Sequence, residues 1–384
     1  MTTTSTPKPR FDWPDVARGV CMVLVVLWHS ASWVQDEVYG GPPAPWVQFG
    51  LWVTPLRMPL FFFISGYFSA TLMTRPLRTL RRRTWGMYYL YVVWTFIFLC
   101  RLYLPQVRSQ GPAPTPGQML TALVLPTSFW YFWCLAAFFV LTYAVHRFLG
   151  EKGKWLILPL MVAAALAPLV RPHIMGILVQ PMDAVKAPSA IANYVWFFAG
   201  TYLRPLWDSV MRNAKWSKLG LAVAGYAAVW VAVSWWNLAD EFAWQLVPLA
   251  ILALYIAAQA LALLPMKALV PRILKRIGQD TLPVYVFHIF GISVISAGTK
   301  MFGLIDVFRN HLPNLAWVIP PVMVAFLIPA TLGIAWLIRK SPFRFLLHPP
   351  AWLVSPDWPK RRGARLGSGA TRKSEPATPS PQER

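Results

Sequence analysis

Long apolar runs alternate with short, mostly basic connectors along nearly the whole chain. About ten runs are long enough to cross a hydrocarbon core of roughly 30 Å as helices. They are residues 17–35, 49–72, 84–104, 119–146, 153–170, 190–206, 217–236, 242–264, 281–302 and 315–339. The runs 153–170 and 190–206 are near the lower length limit, and Pro126 marks a point where 119–146 can break. The pattern predicts an all-α polytopic membrane protein, because a helix satisfies its own backbone hydrogen bonds in lipid. The expected organisation is a short N-terminus (1–16), a transmembrane domain (17–340) and a basic, Pro/Ser-rich tail (341–384), disordered after about residue 355. The first run has a basic front like a secretory signal, but nine more runs follow it, so it reads as an uncleaved anchor. No connector is large enough for a separate folded domain, so any chemistry is expected among the spans.

The connectors supply a direction. With the N-terminus placed in the cytoplasm, the termini and connectors on that side carry 29 Lys and Arg, and those on the other side carry 6. Cytoplasmic loops are the basic ones, so both termini are expected to be cytoplasmic. Composition supports the membrane reading: 57% of the 384 residues are hydrophobic and 13% are charged, against about 25% charged in soluble domains. A net charge of +22 could suggest nucleic acid, but its placement makes it a topology signal and a means of meeting anionic headgroups. Arg outnumbers Lys 24 to 12, which points to a GC-rich bacterial source and hence to a bacterial plasma (inner) membrane. Cys21, Cys100 and Cys134 all lie in apolar runs without a CxxC pair or Cys/His cluster, so neither a disulfide framework nor a metal site is expected. No Walker loop or GxGxxG sequence occurs.

Ionisable residues inside spans are costly and mark candidate sites. Arg18 and His29 bracket the first run, "RGVCMVLVVLWH". On a helix, eleven residues rise about 16 Å and turn back to within about 20° of the start, so both share a face, with Met22 and Val25 between them. A cation at the cytoplasmic mouth suits phosphates, and a histidine past mid-membrane can take a proton from a hydroxyl. The spacing alone favours a structural histidine, bonding across helices, with a topological arginine. Arg57 lies inside the second run between Pro55 and Pro59, ahead of the small pair Ser65-Gly66. Substrate contact and a structural ion pair both fit Arg57, and close helix packing fits the small pair. Arg78, Arg81, Arg82 and Arg83 precede the third run and can meet nucleotide or lipid phosphates. His288, in "IGQDTLPVYVFHIF", fits cofactor contact or packing, and the aromatics around Trp130 fit a pocket wall or an interface belt.

Taken in order, these pieces resemble the type-3 integral membrane acyltransferase family, with the sugar O-acetylase and fucose 4-O-acetylase-like branch as the nearest flavour. Arg18 and His29 with ten residues between them, "DVARG" (Asp15 to Gly19), "MPLFFFISGYF", "FWYFWCLAAFF", "YVWFFAGTYL" and "IGQDTLPVYVFHIF" carry the resemblance over about residues 10 to 340. It implies a ten-span bundle that takes an acyl group, usually acetyl, from cytoplasmic acetyl-CoA or another acyl-CoA. The group goes to a hydroxyl of an envelope glycan or glycolipid. The family histidine maps onto His29 and its arginine onto Arg18. Arg78 and Arg81 have the family's R-x-x-R spacing, but the proline that often follows is missing. Arg78, Arg81 and Arg82 are therefore the expected cofactor-binding members of a cluster whose exact correspondence stays open. Asp15, Arg57, Ser65, Trp130 and His288 are expected to shape the substrate pocket. The expected partners are acyl-CoA, the acceptor and membrane lipids. The alternative is a transporter or flippase of a lipid-linked saccharide. Against it, the sequence has no pair of similar halves with matched broken helices.

Overall fold

Each apolar run folds as helix in the computed structural model, which describes residues 12–40, 45–103, 115–170, 186–235, 246–312 and 314–355. The tail after 355 and residues 1–11 of the expected N-terminus lie outside the described residues. Helix α1 (Trp13–Trp33) starts with Pro14 and Asp15, residue types that suit a helix's first turn, and continues as a wider π turn over Val34–Tyr39. Helices α2 (Pro45–Trp52) and α3 (Thr54–Ser69) share the second run and meet at a 47° bend. Pro55 begins α3, and Pro59 removes a further backbone donor inside it. Helix α4 (Trp85–Cys100) follows the arginine cluster. The run 119–146 does break around Pro126, into α5 (Pro116–Val124) and α6 (Trp130–Leu149). Then come α7 (Ile157–Leu166), α8 (Ala187–Tyr202), the short α9 (Arg204–Arg212), α10 (Trp216–Trp235) and α11 (Leu246–Leu263). The chain ends with amphipathic α12 (Leu269–Gln279), then α13 (Thr281–Met301), α14 (Leu304–His311), α15 (Leu315–Lys340) and α16 (Ala351–Val354). No strand occurs among the described residues.

By length and apolarity, 6 stretches among the described residues can cross a membrane, or 7 with the bent α2–α3 pair. This is fewer than the ten expected, for two reasons. The chain from α6 through α7 counts as one continuous stretch, and α4 and α8 have 16 residues each, short of the roughly 20 of an ordinary crossing. The protein is a multi-pass membrane protein: Leu221, Val231, Trp235 and Phe326 stand exposed on its outside, as lipid contact requires and water would penalise.

Contacts between distant connectors sort them into two ends. At the basic end, Lys275 pairs with Asp12 at 2.7 Å, Arg339 clasps Asp280, Tyr67 donates to Asp208 at 2.7 Å, and Tyr143 donates to the Arg75 carbonyl at 3.0 Å. At the opposite end, Lys300 pairs with Glu37, Tyr39 donates to the Leu312 carbonyl at 2.8 Å, and Trp46 Nε1 donates to the Trp317 carbonyl at 2.7 Å.

Two crossings are closer than any side chain allows. A Cβ on Gly66 would stand 1.9 Å from the Phe197 carbonyl oxygen, and one on Gly200 would stand 2.1 Å from that of Phe63, so α3 and α8 touch backbone to backbone. Likewise a Cβ on Gly278 would lie 1.7 Å from the Asp15 carbonyl oxygen, and one on Gly19 2.0 Å from that of Leu274. This second contact locks α12 across the start of α1.

Candidate functional site

The α1–α12 crossing fixes the start of α1 and leads into α13, the two helices that carry the spanning histidines. His29 lies ten residues beyond Gly19 on α1, a climb of about 15 Å. The chain leaves α12 at Asp280, and His288 lies seven residues into α13, about 10 Å beyond Thr281. The rings meet with centroids 5.2 Å apart. The sequence placed His288 much nearer the cytoplasmic side than His29. The ring contact puts the two histidines at one level, so the difference in depth between them does not hold.

The two imidazoles differ in exposure. His288 is fully buried; its Nδ1 lies 2.9 Å from the Val284 carbonyl, and its Nε2 has no partner among the described residues. The carbonyl can only accept, so Nδ1 carries the proton and Nε2 keeps its lone pair. His29 is exposed, and the surface it shows is the wall of a cavity of about 470 Å³. That volume suits a small ligand.

Six parts of the chain line this cavity. From α1 come Val25, Trp28 and His29; from α3, Arg57 and Met58; and from α4, Phe98. Ser128 and Trp130 come from the entry to α6, Lys186 and Ser189 from the entry to α8, and Tyr285 and Ser293 from α13. Arg57 is 7% exposed. Its guanidinium lies over the Trp28 ring at 4.9 Å, and its Nη1 has no hydrogen-bond partner among the described residues. Trp130 is half-buried and packs against Phe62. Ser65 stands behind the wall, donating to the Phe61 carbonyl at 2.9 Å with its oxygen 3.2 Å from the Tyr131 hydroxyl. The Gly66 beside it serves the α3–α8 crossing.

Arg18 and Asp15 lie elsewhere. They pair at 3.5 Å near the basic end, with the Arg18 guanidinium over the Phe68 ring at 4.7 Å. Val25 closes the bottom of the cavity, and Met22, one turn below it, has no exposed surface. The face shared by Arg18 and His29 is thus packed between them and is not an open channel. Of the arginine cluster, Arg78 and Arg82 are exposed and Arg81 is half-buried. Burial, and then the neighbouring Arg18 charge, hold Arg83 below its ordinary value. Arg83 is therefore the cluster member closest in kind to a phosphate anchor beside Arg18.

Sequence reasoning did not single out Lys186, Ser128 or Tyr285, nor Arg101 just outside the wall. Arg101 donates to Ser293 at 2.7 Å and lies over Phe98 at 3.6 Å. A signal was present: Arg101 and Lys186 are two of the six basic residues on the sparsely charged side. Among the described residues, no three His, Cys, Asp or Glu side chains gather to hold a metal.

The comparison that decides the family covers almost the whole bundle: residues 11–340 match the family described as the acyltransferase domain. The chain belongs to the type-3 acyltransferase family. Among curated proteins it is similar to the inner membrane protein YcfT of Escherichia coli K12, 26% identical over 153 residues, covering 33% of this chain and 42% of that one. It is also similar to the nodulation protein NolL of Mesorhizobium japonicum, 26% identical over 160 residues, covering 40% of this chain and 41% of that one. The chain thus spans about two fifths of the length of the curated relatives it matches. No solved structure matches it.

Proposed function

We propose that this acyltransferase moves an acyl group, acetyl in the simplest case, from cytoplasmic acyl-CoA to a hydroxyl of an envelope carbohydrate or glycolipid. Ten spans would carry the domain 17–340 in a bacterial inner membrane, with both termini cytoplasmic. The division of connectors into two ends, only one of them rich in basic residues, supports that topology.

A single observation carries the reading: His29 is exposed on the wall of a half-open cavity, and Arg18 lies on the same helix toward the basic end. The acceptor oxygen attacks the thioester carbonyl carbon; a C–O bond forms and the C–S bond breaks. His29 takes the acceptor proton and returns it to the departing thiolate. Arg18 and Arg83 hold CoA phosphates, which arginine suits better than lysine because its fork matches paired oxygens. Trp130 and Trp28 give the acceptor sugar flat apolar faces.

The test is transfer of radiolabel from acyl-CoA by the purified protein in lipid nanodiscs. His29→Ala is expected to lower the rate by about 10²–10⁴-fold, the usual share of a positioned base, while the variant keeps its thermal stability. Undiminished transfer by that variant overturns the assignment.

A further inference from the structure

The cavity beside His29 is unusually cationic for its position. Arg57 and Lys186 both line it, and Arg101 reaches its wall through Ser293. No carboxylate is among its described lining residues. Arg57 is nine-tenths buried with Nη1 unpaired among the described residues. A buried unpartnered guanidinium is expensive, and the Trp28 ring offsets only part of that cost. Arg101 and Lys186 also belong to the side of the chain that is poor in basic residues, where orientation gives them no reason to exist. Three cations from three separate elements therefore converge on one site. Such convergence is an arrangement for an anion with several oxygens.

We infer that this cavity binds an acceptor carrying a phosphate ester close to the hydroxyl that is acylated. The inference rests on the acyl-transfer reading for the word acceptor, but the phosphate site itself does not depend on it. Arg57 supplies fixed donors over the Trp28 face. Lys186, at the entry to α8, supplies a mobile ammonium. Ser128 and Ser189 add hydroxyls suited to remaining oxygens or to the sugar. With the phosphate held there, His29 on the same wall is left to meet the neighbouring hydroxyl.

Trp28 and Trp130 line the cavity, so ligand binding can be read by tryptophan fluorescence without any acyl donor. The experiment uses the full chain in nanodiscs and two pairs of probes. Glucose 1-phosphate is compared with glucose, and a polyprenyl phosphate in the bilayer with the corresponding polyprenol. At least one phosphorylated probe is expected to bind about tenfold or more tightly than its neutral counterpart, the scale of a charge-assisted hydrogen bond. Preference in the soluble pair points to a sugar phosphate, and preference only in the lipid pair points to a lipid-linked phosphate. Lys186→Gln and Arg57→Gln should each remove most of the preference. Arg57→Lys, which keeps the charge, should retain part of it and checks the case where Arg57→Gln fails to fold. Equal binding of phosphorylated and neutral probes in both pairs overturns the inference, as does a preference that survives Lys186→Gln and Arg57→Lys undiminished. A clear phosphate preference in a protein that transfers no label would instead count against the acyl-transfer reading alone.

Discussion

Arg83 and Arg78 belong to the same basic run but stand in different surroundings, so their replacements should differ. Arg83 is half-buried, close enough to Arg18 for the two charges to act on each other, whereas Arg78 is exposed on a 3-10 turn (Leu77–Leu80). Arg83→Gln is expected to raise KM for acyl-CoA about tenfold, the scale of one charge-assisted contact. Arg78→Gln should leave KM within about twofold, because exposed charges contribute little. Initial rates against acyl-CoA concentration check both; a larger effect at Arg78 would relocate the donor site. At this scale the sequence revealed whatever was out of place in lipid. Arg57 and His29 stood out because a charge or an imidazole in an apolar run needs a reason. Lys186 did not, since it lies in a polar connector, where a lysine is ordinary. Only folding shows that this connector turns back to the wall holding His29.

At the scale of elements, the two glycine crossings position the site, and they should be intolerant of a single methyl group. Gly278→Ala forces a Cβ to within 1.7 Å of a backbone oxygen that cannot rotate away. The cost is expected at about 1–3 kcal/mol or more, seen as a clear drop in Tm in detergent together with lost transfer. The drop in transfer should exceed that of an equally destabilising change elsewhere, because α12 packs on the helix that carries His29 and leads into the one that carries His288. Gly225→Ala on α10 is the matched control: its Cβ meets nothing within 4 Å, and alanine is the better helix former by about 1 kcal/mol, so stability should hold or rise. The pair Ser65-Gly66 showed in the sequence that something packs closely on α3. The α1–α12 contact did not show, because "LVPRILKRIGQ" has the charge of a connector and Gly278 sits at its very end.

For the whole molecule, the alternation of apolar runs was legible from end to end, and so was the division of charge between the two sides. What composition could not supply is how much of each run becomes straight helix: α4 and α8 stop at 16 residues. The separation of α5 and α6 around Pro126 was legible, because proline breaks a helix. Reporter fusions test the resulting topology. A fusion after Lys340 should report cytoplasm, and one in 300–314 should report the far side; identical signals from both would mean that α15 does not cross. The packed layer at Met22 and Val25 has a consequence at this same scale. An inner membrane stores a proton gradient, and a water-filled passage from Arg18 to His29 would discharge it. That layer is a bulkhead in the resting molecule, and the proposed transfer requires it to part whenever a thioester anchored at Arg18 is brought to His29.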